Sequence, residues 1–380
     1  MWERIAVKTD KACSGDEATD SFLLPKARAI GQMVLVMRAK NAATHNAPDA
    51  VAAETIISSI DKIEVSTGDR VFKSYTAEAA MALATYRYGR EPYNNQTQFT
   101  GGAYPTGWQE AHIPILFDRF ACDPRCALPA PLYDSVQLDI SFDFNTTDAG
   151  AEAAFLTGGA NHRYDLYMDV MQKVHTDSLK RMFVIEDKKK LNYTTRAAGW
   201  DLIDLSISKE RKMRQIMLQC YLAGAPEGGC IENVDLHVDG KTMQANSWTR
   251  WQMENARQCK LDFERNVLMM AQTTDDQLFT KIPEVVPQYT PQSTGAVSNP
   301  FLTIDDDKVT LDPSTADDIG ILSCRSPVIP MSMFMDFDPD MSLNQLLNMN
   351  VGKLQLNVKN ATASGALVVY EQTISPAIIA

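Results

Sequence analysis

The chain has 380 residues, 45% hydrophobic and 22% charged, enough for two domains that each bury a core. Its net charge of −12 disfavours a shell of contacts to nucleic-acid phosphate, so no direct sequence-specific nucleic-acid partner is expected. No apolar run approaches the length of a membrane span and no charged-then-apolar leader opens the chain, so neither membrane spanning nor secretion is expected.

Residues 1–24 are polar and without a period, and the first 28 residues balance Glu3, Asp10, Asp16, Glu17 and Asp20 against Arg4, Lys8, Lys11, Lys26 and Arg28. Residues 1–24 predict an N-terminal arm that orders only against a neighbour, with Trp2, Arg4, Lys8 and Lys11 as its assembly contacts. Deleting it is expected to leave the subunit folded and to impair assembly. Residues 30–39 predict a largely buried strand. Alternation in Ile60-Asp61-Lys62-Ile63-Glu64-Val65, a turn at Gly68, and Val71-Phe72-Lys73-Ser74-Tyr75 together predict a hairpin. Thr76, with Glu78 in the first turn, then caps an alanine-rich helix. Cys122 and Cys126 flank a loop where a bridge is conceivable, but seven cysteines with no CxxC pair read better as free thiols. Residues 176–198 predict a connection between domains, with Asp187-Lys188-Lys189-Lys190 as an exposed charged turn.

The second half repeats this order. Ile231-Glu232-Asn233-Val234-Asp235-Leu236 answers the Ile60 strand at an offset of 231 − 60 = 171, Asp239-Gly240 supplies the turn, and Ser247 caps a helix. Ile329-Pro330 answers Ile113-Pro114 at 329 − 113 = 216, and residues 354–358 answer 136–140 at 354 − 136 = 218. Residues 365–375 answer 164–174. A period this long points to two copies of one whole domain. The second copy is longer, mostly within 272–325, a proline-bearing stretch holding an apparent hairpin, FLTIDDDKVTLD.

Many short strands, few helices and frequent turns predict an all-β chain of two tandem jelly rolls, eight-stranded β-sandwiches with a short helix in each and long loops. The expected divisions are 1–24 for the arm, 25–178 for the first jelly roll, and 179–380 for the second, with a loop insertion at about 272–325.

Chemistry finds little support. The histidines 45, 112, 162, 175 and 237 stand alone with no HxH pair, and GxSxG, HExxH, Walker and GxGxxG patterns are absent. No catalytic residue, cofactor or metal is expected. Asp305, Asp306 and Asp307 would offer oxygens to a calcium ion, though a solvated hairpin tip is the better reading. The Asp336-Phe337-Asp338-Pro339-Asp340 run reads the same way, as a turn first. Met331, Met333 and Met335, alternating on one strand, and Trp248 with Trp251 read as core.

The strings IDKIEVSTGDRVFKSYTAEAAMALATYRYGREP, LPAPLYDSVQLDISF and GALVVYEQTI, set in this architecture, resemble the double jelly-roll major capsid proteins of tailless icosahedral viruses, including bacteriophages with an internal membrane. The resemblance covers about residues 25–378. It implies a homotrimer of pseudo-hexagonal outline within a virion, made in the host cytoplasm, with 272–325 as an outward tower. It implies as partners neighbouring capsomers, penton and minor capsid proteins, and an internal membrane surface reached by the arm. The rival expectations are a double jelly-roll carbohydrate-binding or hydrolytic protein, such as a bicupin or glycan amidase, and another virion component such as a spike.

Overall fold

The computed structural model describes residues 2–13, 17–40, 56–68, 70–99, 108–121, 123–144, 155, 160–172, 176–195, 199–208, 210–221, 230–260, 263–270, 278–281, 286–291, 301–305, 308–312, 319–326, 328–329, 331–343, 351–363 and 365–377, with backbone alone for 95–99, 221 and 263–326. The first half builds β1 (Trp2–Ala12), β2 (Ala18–Leu23), β3 (Ile30–Lys40), β4 (Ile60–Thr67), β5 (Arg70–Tyr75), α1 (Ala77–Tyr88), β6 (Asn94–Phe99), β7 (Trp108–Leu116), β8 (Gln137–Phe142), β9 (His162–Met171) and α2 (Thr176–Lys180). The second builds β10 (Phe183–Thr194), β11 (Gly199–Asp204), β12 (Lys212–Tyr221), β13 (Ile231–Val238), β14 (Lys241–Ser247) and α3 (Trp248–Cys259). Then follow β15 (Phe263–Met270), β16 (Leu278–Lys281), β17 (Val286–Pro291), β18 (Phe301–Asp305), β19 (Lys308–Asp312), β20 (Ile319–Ser326), β21 (Ser332–Asp336), β22 (Leu354–Asn360) and β23 (Ala366–Pro376).

The duplication is written in the strand order. One sheet runs β1-β9-β3-β7 in the first copy, and β10-β23-β12-β21 has the same order in the second. The facing sheets run β2-β8-β4-β5 and β11-β22-β13-β14. Each copy is thus a jelly roll, two sheets closing over a core of alternating inward residues. In the first, Met33, Leu35, Ile113, Ile115, Leu138, Ile140, Leu166 and Met168 share one apolar cluster. In the second, Ile216, Leu218, Met333, Met335, Leu356, Val358, Leu367 and Val369 share another.

Ladder registers fix which residues are equivalent. Met33 pairs with both Ile115 and Met168, and Leu218 with both Met333 and Val369. The counterpart of Ile115 is therefore Met333, an offset of 333 − 115 = 218, the same as Leu138 to Leu356. The Ile-Pro match at 216 is two residues out of register, because facing side chains, not local identity, decide equivalence. The offset of 171 holds, since Ile60 pairs with Phe142 and Ile231 with Asn360.

Both helices begin as expected. Thr76 accepts from Ala79 N and Ser247 from Arg250 N. They differ in surroundings: α1 is buried on nearly every side, whereas α3 buries Trp248, Trp251, Gln252 and Asn255 and exposes the opposite face. Gly89 closes α1 with φ +72°, and a Cβ there would come 2.9 Å from the Cys259 carbonyl oxygen, so glycine lets the two helix ends meet.

Three expectations need correction. Residues 1–24 are not an arm ordered by a neighbour: β1 pairs with β9 and β2 with β8 inside the chain. Deleting them would strip an edge strand from each sheet. The segment expected as a connection, with an exposed turn at Asp187, is the continuous strand β10. One reason covers both: β1 and β10 are equivalent strands rich in polar residues, so neither shows an apolar period, although β1 ends its sheet and β10 is enclosed between β5 and β23. Finally, Cys220 and Cys230, both buried, are joined as a disulfide rather than free; Cys126 is free, and Cys122 lies outside the described residues.

The hairpin expected within 272–325 is present as β18 and β19, which pair antiparallel, with β16 on the far side of β19. β15 pairs with β6 in parallel and with β20, joining this extension to the sheet of the first copy.

Candidate functional site

Among the described residues, most of the side chains that carry charge into the interior gather where the two copies meet, Asp20 and Glu371 being buried within one copy each. β5 of the first copy runs parallel to β10 of the second, with Lys73 opposite Asp187 and Ser74 opposite Lys188. Lys73 is fully buried, ion-paired to Asp187, and its ammonium lies 5.1 Å from the Phe117 ring centre. Gln372 donates to the other Asp187 oxygen at 2.5 Å. Burial pulls the Lys73 pKa down, against the pull of Asp187. Beside it, Arg70 donates to Glu186 at 2.8 Å; Lys188 and Arg70 outweigh the upward push of burial and hold Glu186 below the usual carboxylate range.

A second group lies around a cavity of about 30 Å³, space for one water, lined by residues of both copies including Arg87, Asp118, Arg214 and Asp336. Asp118 and Asp336 are equivalent residues, 336 − 118 = 218 apart. Burial pushes the Asp118 carboxyl up to about 6 although Arg87 donates to it at 2.6 Å, and burial likewise raises Asp336. Arg119 makes a two-pronged pair with Asp123, at 2.7 and 3.1 Å, and approaches Asp338 at 3.7 Å. The Asp336–Asp340 run is therefore a turn, as expected, but not a solvated one: Asp338 is fully buried and accepts from Leu343 N at 2.7 Å. This arrangement fixes one copy against the other. Each carboxylate is engaged by a guanidinium, an ammonium or a main-chain N–H, and no nucleophile with an adjacent base stands among them.

Aromatic packing and an edge cap complete the junction. Tyr86 of α1 stacks on Phe334 of β21 with ring centres 4.4 Å apart. Asn255 of α3 donates to the Phe334 carbonyl at 2.7 Å and accepts from its N–H at 2.8 Å, capping the outer edge of β21. Replacing Asn255 by leucine strands both main-chain groups, and we expect a loss of about 1–3 kcal/mol in urea denaturation with an unchanged slope. A loss near zero would show that water reaches this edge.

The residues singled out by sequence fall elsewhere. Trp2 pairs with Met171 and packs over Gly31, Arg4 makes a two-pronged contact to Asp169 at 2.7 and 2.8 Å, and Lys8 lies 5.3 Å from the Phe22 ring centre. Lys11 approaches Asp20 at 3.9 Å. All four thus sit on β1. Asp305 is described by its backbone only, and Asp306 and Asp307 lie outside the described residues. Among the histidines, His112 contacts Glu110 at 2.9 Å, His162 stacks on Phe144, and His237 meets Thr242; His45 and His175 lie outside the described residues. Among the described residues, no three His, Cys, Asp or Glu side chains gather as metal ligands.

Sheet edges and outer faces are the remaining features. β1 and β14 each end a sheet. Large apolar side chains stand exposed at Met243 on β14, Met253 on α3, and Trp200 and Leu202 on the edge strand β11.

No protein-family model matches the sequence and no curated protein is similar to it. Solved structures are. The major capsid protein (MCP) of Sulfolobus Turreted Icosahedral Virus (STIV) is similar with a TM-score of 0.59 at 10% identity, over 99% of this chain and 97% of that one. A chain of the atomic structure of the same virus gives 0.60 at 10% identity, over 99% and 91%. The major capsid protein P2 from bacteriophage PM2 gives 0.53 at 9% identity, over 98% and 97%. The chain has the double jelly-roll fold, and it shares that fold, end to end, with these major capsid proteins.

Proposed function

We propose that this chain is a major capsid protein whose homotrimers, pseudo-hexameric in outline, tile an icosahedral virion shell. The observation that carries the reading is the duplication: two copies with one strand order, locked rigidly by buried ion pairs, filling a chain that shares its whole fold with capsid proteins. One chain then presents two similar but unequal sides, and three chains about an axis present six. With β1 and β2 returned to the first copy, we take 2–172 as the first jelly roll and 183–377 as the second. Residues 272–325 are the outward tower. Neighbouring trimers, penton and minor capsid proteins are the partners, and the role is structural.

Native mass tests this directly. A particle near three times 42.2 kDa is expected, together with hexagonal arrays or closed shells by negative-stain microscopy. A monomer at every concentration would overturn the reading.

A further inference from the structure

We propose that in the trimer β1 of one protomer adds in parallel to β14 of the next, with Trp2 and Glu3 of one chain lying opposite Gln244 and Ala245 of the other. The inference deepens the trimer reading above and rests on it. The occupant of the β14 edge is a second copy of this chain, and the template is the contact already made inside the chain.

That contact joins β5 of the first copy to β10 of the second through the pairs Lys73–Asp187 and Ser74–Lys188. Ladder registers give the counterparts. Lys73 pairs with Val65 and Gln244 with Leu236, each 171 apart between copies, so Gln244 stands where Lys73 stands and Ala245 where Ser74 does. Met171 pairs with Trp2, and its counterpart Gln372 pairs with Asp187; Val170 pairs with Glu3, and Glu371 with Lys188. Trp2 and Glu3 therefore stand where Asp187 and Lys188 stand. Among the described residues, β5 finds β10 within the chain, whereas the equivalent strands β14 and β1 are left at sheet ends with one side unpaired.

The operation that carries the first copy onto the second carries the second onto the first copy of a neighbour. Each chain offers one β14 edge and one β1 edge, so the contact is heterologous and repeats until it closes. An open row of N–H and C=O groups on each strand supplies the bonds.

Burial gives an independent sign. Phe72 is fully buried at the internal contact, and its counterpart Met243 is 66% exposed. α1 is buried on nearly all sides, and its counterpart α3 shows Met253 at 62% exposure beside Arg250 and Glu254. Surfaces that the first copy hides against the second are, in the second copy, bare. Their chemistry also differs in the direction a separable interface needs. Neutral Gln244 replaces buried Lys73, so no lone charge is left in a folded subunit awaiting its neighbour.

Chains carrying Glu3→Cys with Ala245→Cys test the pairing in the full-length trimer. Adjacent strands hold Cα atoms within disulfide reach, so mild oxidation should convert most of the trimer to covalent dimer and trimer on a non-reducing gel. Each single variant should stay monomeric there, and a mixture of the two single variants should give covalent dimer only. A particle of trimer mass that fails to cross-link overturns this pairing and leaves the capsid reading standing; a wild-type monomer overturns both. Met243→Lys, on an exposed side chain, should fold normally and weaken trimer association more than tenfold. Unchanged association of that variant would also overturn the pairing, including where the double-cysteine chain fails to assemble.

Discussion

Replacing Lys73 by alanine should cost about 3–5 kcal/mol of folding stability. Lys73 has no exposure at all, and its departure leaves Asp187 buried with, among the described residues, the Gln372 amide as its remaining side-chain donor. Attraction in a low-dielectric junction compensates desolvation only while both charges are present. The decisive comparison is therefore the double variant Lys73→Met with Asp187→Leu. It removes both desolvation costs and should recover most of the loss. Urea midpoints measured for both single variants and the double variant close the cycle. A single-variant loss under about 1 kcal/mol would mean that water reaches the pair and that the two copies are not sealed there.

Truncating Phe334 to alanine should cost about 3–5 kcal/mol, for a different reason. Its side chain is fully buried on β21 and stacks on Tyr86 of α1, so it belongs to the seam where both helices and both cores approach. Removing the ring forfeits its burial and leaves a void bounded by rigid strands that cannot collapse into it. Phe334→Leu should lose roughly half as much, since it keeps most of the apolar volume. Thermal unfolding would rank the three proteins, and equal loss in both variants would point to strain rather than a cavity. The effect should not add simply to that of Asn255→Leu, because Asn255 holds the Phe334 backbone.

The two variants probe a junction that sequence reading missed, and the reasons are physical. Lys73 and Asp187 are 114 residues apart and each looks like a surface residue in its own strand. Asp338 reads as turn polarity, yet it is fully buried, as are Asp123 and the Arg119 that faces both. No local pattern distinguishes a charge facing solvent from one facing its opposite across a domain seam. One signal was available: at the 218 offset Asp118 answers Asp336, an acid kept at the same place in both copies. The Ile-Pro match, two residues out of register, hid it.

Elsewhere local rules were enough. Alternation marks β4, the repeat marks β13 and pairs β8 with β22, Thr76 and Ser247 mark the helix starts, and FLTIDDDKVTLD reads as the hairpin it forms. Those signals lie within a few residues of one another, where backbone sterics and short-range hydrogen bonds act. The sequence alone therefore determined the β class, the duplication and the capped helices. Only the tertiary structure decided that polar residues 2–12 and 183–194 are strands, that Cys220 meets Cys230, and that α1 is enclosed while α3 is half bare. A strand without an apolar period takes its conformation from a partner about 150 to 190 residues away, here β9 for β1 and β23 for β10, and the energy of that pairing is absent from any local window of the chain.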